Sequence, residues 1–211
     1  TMITKTSEDE LGTKVNLNDA IEIEGKPLKQ EAKVYYLLNK PRGVITSVTD
    51  DKGRQTVVDL IDTTSRVYPV GRLDYDTTGA LLLTNDGEFA NYIMHPKHRI
   101  DKLYIAKVKG MAHKKELVKL LKGIFIDEQK VSASEVKLKK YDKKTNTSIV
   151  EIVIHDGKNH QVKKMLKAIG YDVIKLKREK IAFLDVKHLK SGEYRELTIK
   201  EIKKIYGNSK K

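Results

Sequence analysis

The most distinctive polar stretch of this chain is Val70-Gly71-Arg72-Leu73-Asp74-Tyr75-Asp76-Thr77-Thr78-Gly79. Two short apolar runs, residues 67–70 and 81–83, flank it, and each predicts a buried strand. A polar loop held between rigid strands is a common place for catalytic side chains. Glycines at both ends of the stretch permit backbone angles that other residues resist. We therefore expect a loop of fixed shape, presented by two strands.

Two other interpretations of this loop are a solvated turn and a calcium site. Asp74, Asp76, Thr78 and Gly79 resemble the beginning of an EF-hand loop. Such a loop requires a glutamate at its twelfth position, where this chain has Asn85. The sequence thus excludes an EF-hand calcium site and leaves the solvated turn open.

Composition limits the classes of function. The chain has 211 residues, enough for one fair-sized domain with a small appendage, and its 42 basic and 29 acidic residues give a net charge of +13. Such a charge predicts a polyanionic partner, most often nucleic acid, although a basic solvated surface is the alternative. The chain has no cysteine, which excludes disulfides and cysteine nucleophiles. With no signal peptide, no membrane-length apolar segment and no histidines at a metal-ligand spacing, we expect a cytoplasmic protein without a metal site.

Two further motifs carry polar side chains at the ends or faces of predicted strands. A strand over residues 34–38 runs into Asn39-Lys40-Pro41-Arg42-Gly43, where the proline predicts a loop. Residues 102–108 alternate apolar and charged like a half-buried strand, with Tyr104 on its apolar face. From the residues alone, Tyr104 is either a core tyrosine or a ring that stacks on a ligand.

A helix is predicted after Asp156-Gly157-Lys158. Its apolar stripe consists of Val162, Met165, Leu166 and Ile169. Lys163 lies roughly 110° from the centre of that stripe, so that it can reach into a neighbouring cleft, whereas Lys164 and Lys167 point further outward. We expect His160 to be a surface residue at the start of the helix rather than a general base.

The rest of the chain contains further predicted helices and strands. They are helical turns at 56–61, helices at 88–94 and 114–122, and strands at 21–23, 135–141, 148–154, 174–178 and 181–184. A turn and a strand follow within 191–198, and then a final helix ending near Tyr206, capped by Thr198 and Glu201. Residues 207–211 are predicted to be a disordered basic tail. The densest basic cluster is Lys137, Lys139, Lys140, Lys143 and Lys144, for which a solvated face and a phosphate-binding role remain equally open.

Gly71-Arg72-Leu73-Asp74, followed by Thr77, Gly79 and the run 81–87, closely resembles the signature of bacterial ribosomal-RNA pseudouridine synthases of the RsuA/RluB type. The resemblance extends over residues 33 to about 205. It implies an α+β fold, with a mixed, largely antiparallel central sheet in two halves flanked by helices and a cleft between the halves. It also implies that residues 1–32 are the remnant of a ribosomal-protein-S-four-like RNA-binding domain and that residues 33–206 form the catalytic domain.

The resemblance further implies roles for single residues. Asp74 matches the catalytic aspartate, Tyr104 the ring that stacks on the target base, Lys163 the basic partner of the aspartate, and Leu176 an apolar residue of the pocket. Arg72 is expected to help hold a flipped nucleotide. The expected RNA-binding residues are Lys40, Arg42, Lys102, Lys164 and Lys167.

The implied reaction converts a uridine in ribosomal RNA to pseudouridine, with no cofactor or metal. The implied partner is ribosomal RNA or a ribosomal subunit assembly intermediate, bound by a monomer. Tyr68-Pro69-Val70-Gly71 favours the large-subunit branch and His160-Gln161-Val162-Lys163 the small-subunit branch, and we favour the large subunit. Two other classes stay open, a non-catalytic RNA-binding protein and a glycosidase or nuclease that uses Asp74 with Asp76.

Overall fold

The computed structural model describes residues 31–207 and the strands at 2–5, 20–23 and 26–27. The chain forms two compact units, Thr1–Ala32 and Lys33–Lys211, and the predicted domain boundary falls at the same place. In the first unit, β1 (Met2–Lys5) is parallel to β2 (Ala20–Ile23), which pairs antiparallel with β3 (Lys26–Pro27). The predicted strand at 21–23 is confirmed, but the assignment of this unit to an RNA-binding domain stays a prediction.

The second unit contains eleven further strands, five α-helices and two short 3₁₀ helices, Val57–Leu60 and Pro96–His98, among its described residues. The strands are β4 (Tyr35–Lys40), β5 (Tyr68–Val70), β6 (Thr78–Thr84), β7 (Lys102–Lys109), β8 (Ile124–Ile126), β9 (Gln129–Val131), β10 (Glu135–Asp142), β11 (Thr147–Ile154), β12 (Val173–Ile181), β13 (Leu184–Asp185) and β14 (Tyr194–Glu196). The α-helices are α1 (Gly87–Met94), α2 (Lys114–Leu117), α3 (Lys119–Lys122), α4 (Gln161–Ala168) and α5 (Ile199–Gly207).

Nine of these strands form one sheet with two halves. Its main path is β10-β11-β7-β12-β6-β4-β14, with β13 beside β12 and β5 beside β6. Every pairing is antiparallel except that of β12 with β6, which is parallel. The predicted α+β class and the mixed, largely antiparallel sheet in two halves are therefore confirmed.

The parallel junction between the halves is short and depends on Gly79. Only Thr78 and Gly79 of β6 pair with Lys177 and Arg178 of β12. Gly79 has φ +111°, and a Cβ atom at this position would collide with the carbonyl oxygen of Arg178. Because a side chain fits here neither sterically nor conformationally, the glycine lets the two halves approach directly after the Asp74 loop.

The two halves bury their strands differently. In the half with β4 and β6, consecutive residues face separate apolar clusters: Leu37 and Leu82 pack on one side, Leu38 and Leu81 on the other. In the half with β7 and β12, a single cluster containing Ala106, Met165 and Leu166 covers one face. The first half is therefore covered by apolar clusters on both faces. In the second half, the described residues form an apolar cluster on one face only.

Several element boundaries differ from the prediction. The strand predicted at 181–184 is wrong, because Ile181 ends β12, the chain turns at Ala182 with φ +53°, and Leu184 begins β13. The helix predicted at 114–122 is divided at Val118 into α2 and α3. Gly207 is the last residue of α5 instead of the start of a tail, and residues 208–211 lie outside the described residues.

The capping box of the last helix is confirmed. The backbone amide of Thr198 donates to Glu201 Oε1 at 3.0 Å, and the amide of Glu201 donates to Thr198 Oγ1 at 3.1 Å. Burial opposes ionisation of Glu201, but the hydrogen bond from Arg195 lowers its pKa more, to about 2. Within the part of the chain that the structure describes, every helix is too short to span a bilayer.

Candidate active site

A cleft of about 480 Å³ lies where the two halves of the sheet meet. Its walls come from the loop after β5, the beginning of β7, the middle of β12 and the residues that lead into α4. The predicted site residues that line it are Arg72, Asp74, Lys102, Tyr104 and Leu176. Residues separated by more than a hundred positions in the sequence are thus brought into one cavity.

Asp74 lies at the cleft with two side-chain nitrogens close to the same carboxylate oxygen. The ammonium of Lys163 is 3.3 Å from Asp74 Oδ2, and Nδ1 of His160 is 2.8 Å from it. Lys163 also donates to Asp76 Oδ1 at 2.9 Å. The predicted contact between Asp74 and Lys163 is confirmed, and the one lysine joins two carboxylates of the loop.

The start of α4 is fixed by a small hydrogen-bond network, which positions His160 and Lys163 next to the loop. The side chain of Gln161 is buried, accepts the amide of Lys158 at 3.0 Å and donates to Asp156 Oδ1 at 2.6 Å. His160 has left-handed backbone angles, φ 52° and ψ 30°, directly before the first helical residue. This turn directs the imidazole towards Asp74, while α4 carries Lys163 to the same carboxylate.

Lys163 and the carboxylate of Asp76 each shift the pKa of the other towards the charged form. The hydrogen bond from Lys163 lowers the pKa of the Asp76 carboxyl against the opposing effect of burial. Burial lowers the pKa of Lys163, but its hydrogen bonds to Asp76 and Asp74 outweigh this, so the pKa is raised above its ordinary value. Lys163 is therefore an ammonium across the neutral range, and it stabilises negative charge at the mouth of the cleft.

Lys40 does not contact solvent and cannot be the RNA-binding residue that we predicted. Its side chain is 0% exposed. The ammonium donates to the backbone carbonyl oxygens of Pro41 at 3.1 Å, Asp74 at 3.1 Å and Thr77 at 2.8 Å, with Tyr75 at 3.4 Å. Burial lowers the pKa of Lys40 to about 8, although the nearby Asp76 and Asp74 oppose the shift. Lys40 thus holds the Asp74 loop from its backbone side.

Tyr104 lies both in the core and at the cleft, and its stacking on a ligand stays a prediction. Its ring is a member of the core cluster of its half and also lines the cleft. Arg178, only 4% exposed, donates from Nη1 to the Tyr104 hydroxyl at 3.4 Å and from Nε to the carbonyl oxygen of Ala80 at 2.8 Å. The tyrosine is therefore fixed by a residue from the strand at the junction of the two halves.

Lys102 is a second cation in this part of the cleft. Burial lowers its pKa to about 8, the positive charge of Arg178 adds to the effect, and Asp156 and Asp101 oppose it. Lys102 lines the cleft itself instead of the surrounding surface. The predicted RNA contact of Lys102 can therefore involve only an RNA group that enters the cavity.

The structure does not bring every predicted residue to the cleft. Arg42 is exposed outside its lining, and Lys167 is exposed on α4. Lys164 forms an ion pair with Asp127 at 2.5 Å, and neither residue lines the cleft. Arg72 is exposed and lines the cavity, as its predicted role requires.

Sequence reasoning missed two site residues, His160 and Arg178. His160 does lie at the start of the helix and is exposed, as predicted, but its contact with Asp74 joins distant parts of the chain. Arg178 could have been found from the alternation of β12. Leu176 was predicted to face the pocket, and residues two apart on a strand share a face, which places Arg178 beside it.

A family model described as RNA pseudouridylate synthase matches residues 34–168. The chain therefore belongs to the RNA pseudouridylate synthase family, a family of isomerases, and the resemblance seen in the sequence is confirmed. The matched range contains the Asp74 loop, Tyr104 and the helix with Lys163.

Individual relatives agree with the family. The chain is 54% identical to ribosomal large subunit pseudouridine synthase B of Bacillus subtilis over 197 residues, which cover 93% of this chain and 81% of that protein. It is 40% identical to an uncharacterized RNA pseudouridine synthase of Aquifex aeolicus, covering 93% and 79%. A crystal structure of a pseudouridylate synthase superimposes with a TM-score of 0.73 at 33% identity, covering 92% of this chain and 83% of the other.

Proposed function

We propose that this protein isomerises a specific uridine of ribosomal RNA to pseudouridine and that Asp74 is its catalytic carboxylate. The observation that carries the proposal is the ammonium of Lys163, 3.3 Å from Asp74 Oδ2 at the mouth of the cleft, with Nδ1 of His160 at 2.8 Å from the same oxygen. A carboxylate that attacks or deprotonates a sugar must be ionised, and the Lys163 ammonium places a positive charge beside it. The large-subunit relative from Bacillus subtilis supports large-subunit RNA as the substrate.

The reaction requires one bond to break and another to form at the same sugar carbon. In the first route, Asp74 attacks C1′, the C1′–N1 electron pair leaves with the uracil, and C5 of the rotated base displaces the carboxylate. In the second route, Asp74 removes the C2′ proton, a glycal forms as N1 leaves, and C2′ regains a proton after C5 adds to C1′. In both routes the C5 proton goes to solvent and N1 gains a proton, so no oxidant is consumed.

The other cleft residues serve the target nucleotide in this proposal. A nucleotide within a stacked or paired RNA hides its sugar carbon and must be flipped out to react. Stacking on an aromatic ring returns roughly 1–3 kcal/mol per base, and Tyr104 supplies that ring, fixed in place by Arg178. Arg72 lies on the exposed side of the cavity, where it can occupy the space that the flipped nucleotide leaves.

The test is release of tritium from C5 of labelled uridine in large-subunit ribosomal RNA, with no metal or nucleotide added. We expect Asp74→Asn to reduce the rate at least about 10³-fold, because an amide is neither a nucleophile nor a base. Asp76→Asn is the matched control and should stay within about tenfold of wild type, since Lys163 keeps its contact with Asp74. Equal loss in both variants would instead favour a chemistry that uses the two aspartates as a pair.

The identity of the substrate has its own measurement. Mapping of pseudouridines in ribosomes from a strain lacking this gene should show one missing modification in large-subunit RNA. A missing small-subunit modification would correct the substrate but keep the reaction, and an intact modification map would contradict the proposed function. A monomer, a cytoplasmic location and independence from any cofactor remain predictions of the same proposal.

A further inference from the structure

The half of the sheet formed by β10, β11, β7 and β12 has a face that points away from the cleft. Tyr104 and its cross-strand partner Arg178 lie on the cleft side. Because paired residues share a face and alternate along each strand, the residues between them lie on the opposite side. Two neighbouring rows there are Lys140-Ile149-Lys107-Lys175 and Lys137-Glu151-Ile105-Lys177. We call these eight positions the lysine face.

The lysine face carries a net positive charge. Its five lysines accompany one acidic residue, Glu151, and Lys139 is 3.8 Å from that carboxylate. None of the five lysines forms an ion pair with a carboxylate of residues 31–207. Lys107 and Lys175 are directly opposite each other, an arrangement of like charges that destabilises a sheet. An anion lying across the strands would remove this repulsion.

The apolar residues of this face have no partner in the fold. Ile105 and Ile149 are half-buried and belong to none of the three apolar clusters of the described residues. The eight positions contain no aromatic residue, so the face cannot stack bases in the manner of single-strand binders. The rows span roughly 14 Å from β10 to β12. The lysine face is therefore a flat array of cations that can contact phosphates but does not distinguish one base from another.

We propose that the lysine face binds the phosphate backbone of a duplex segment of RNA, separately from the segment that enters the cleft. The inference goes beyond the proposed function and uses it only to identify the polyanion as RNA. The two surfaces lie on opposite faces of one sheet. Binding at both therefore requires a folded RNA that reaches around the edge strand β10, and a short stem-loop occupies one surface at a time.

Binding of a 20-base-pair RNA duplex tests the proposal. The variant Lys107→Gln, Lys137→Gln, Lys140→Gln, Lys175→Gln, Lys177→Gln removes the five charges from the full chain. The control removes five exposed lysines elsewhere by Lys33→Gln, Lys187→Gln, Lys190→Gln, Lys200→Gln and Lys203→Gln. Fluorescence anisotropy at several salt concentrations then gives the affinity and the slope of log K against log salt for each protein.

The expected result is at least about a tenfold loss of affinity in the first variant, and a loss of about threefold or less in the control. The salt slope should become shallower by roughly 0.9 for each phosphate contact removed. Replacing the same five lysines by arginine should keep wild-type affinity, which shows that loss with glutamine reflects charge and not misfolding. Equal affinity of the two glutamine variants would overturn the proposal, as would a loss confined to single-stranded RNA.

The same proteins separate this inference from the proposed function. Tritium release at saturating RNA should be equal in wild type and in the first variant, with only the KM for long ribosomal RNA increased. If wild type releases no tritium but binds duplex RNA through the five lysines, the proposed function fails and the lysine face stands. If tritium release is normal and duplex affinity is unchanged in the variant, the lysine face fails alone, and an acidic protein becomes its candidate partner.

Discussion

Lys40 on β4 and Lys163 on α4 both contact the Asp74 loop, but they hold it in different ways. Lys163 is partly exposed and donates to the carboxylates of Asp74 and Asp76, which raise its pKa. Lys40 is fully buried and donates to backbone carbonyl oxygens, and burial lowers its pKa. One lysine stabilises the charge of the loop, and the other stabilises its backbone conformation.

The comparison shows that residue type alone does not assign a role in this site. A buried cation is expensive unless its donors are satisfied, and the carbonyl oxygens around Lys40 supply that compensation. An ammonium near the surface costs little to desolvate, and its value lies in the charge that it presents to Asp74. We therefore expect loss of Lys163 to affect the reaction and loss of Lys40 to affect the fold.

Among substitutions of the residues that contact the Asp74 loop, Lys163→Met should have the largest effect on catalysis. The variant removes the only ammonium in contact with the Asp74 carboxylate among the described residues. We expect the single-turnover rate of tritium release to fall about 10²- to 10³-fold, the range typical for loss of one electrostatic contact at a reacting group. The melting temperature should change little.

The neighbouring lysine provides the control for this prediction. Lys164→Met removes an equivalent charge from α4, but Lys164 pairs with Asp127 away from the cleft. Its rate should stay within about threefold of wild type. Comparable rate losses in the two variants would mean that the charge of the helix as a whole matters and that the contact with Asp74 does not.

Lys40→Met should act chiefly on stability. The substitution leaves the carbonyl oxygens of Asp74 and Thr77 without their buried donor, and unpaired buried acceptors cost about 1–3 kcal/mol each. We expect the free energy of unfolding in urea to fall by roughly 2–3 kcal/mol, with the exposed Lys33→Met as a control that stays near wild type. An unchanged unfolding midpoint in Lys40→Met would show that the loop does not depend on this ammonium.

These two lysines also show how far the sequence alone could lead. The strands around the Asp74 loop follow from short apolar runs, and the reach of Lys163 follows from its angle on an amphipathic helix. The burial of Lys40 could not be predicted, because a lysine before a proline at a strand end is usually exposed. Its environment arises from carbonyl oxygens of a loop more than thirty positions away. Contacts of this kind leave no local pattern.

The pH dependence of stability sharpens the comparison. Lys40 has a pKa of about 8 in the folded protein against an ordinary value of 10.5. Between these values the unfolded chain binds more protons than the folded one, so the contribution of Lys40 to the free energy of unfolding rises with pH. Lys163, whose pKa is raised, contributes stability that is lost only as the pH rises through that higher value.

Urea unfolding at several pH values measures the two contributions. The difference in free energy of unfolding between wild type and Lys40→Met should increase from pH 8 to pH 10, whereas the difference between wild type and Lys163→Met should stay flat over that range. A flat difference for Lys40 would show that its folded-state pKa is not lowered, and the contrast between the lysines would then rest on geometry alone.

Substitution of His160 should have the smallest effect on the rate. It tests whether Asp74 depends on an orienting contact in addition to the charge of Lys163. Its Nδ1 lies 2.8 Å from the carboxylate oxygen that Lys163 also contacts. If this contact is worth as much as one net hydrogen bond, about 0.5–1.5 kcal/mol, His160→Ala should slow tritium release about three- to tenfold. His160→Asn should recover part of the rate, because asparagine tolerates left-handed backbone angles and its side-chain amide can donate. A rate in His160→Ala as low as in Lys163→Met would instead make the imidazole a direct participant in the proton transfers, since loss of an orienting contact cannot match loss of the ammonium.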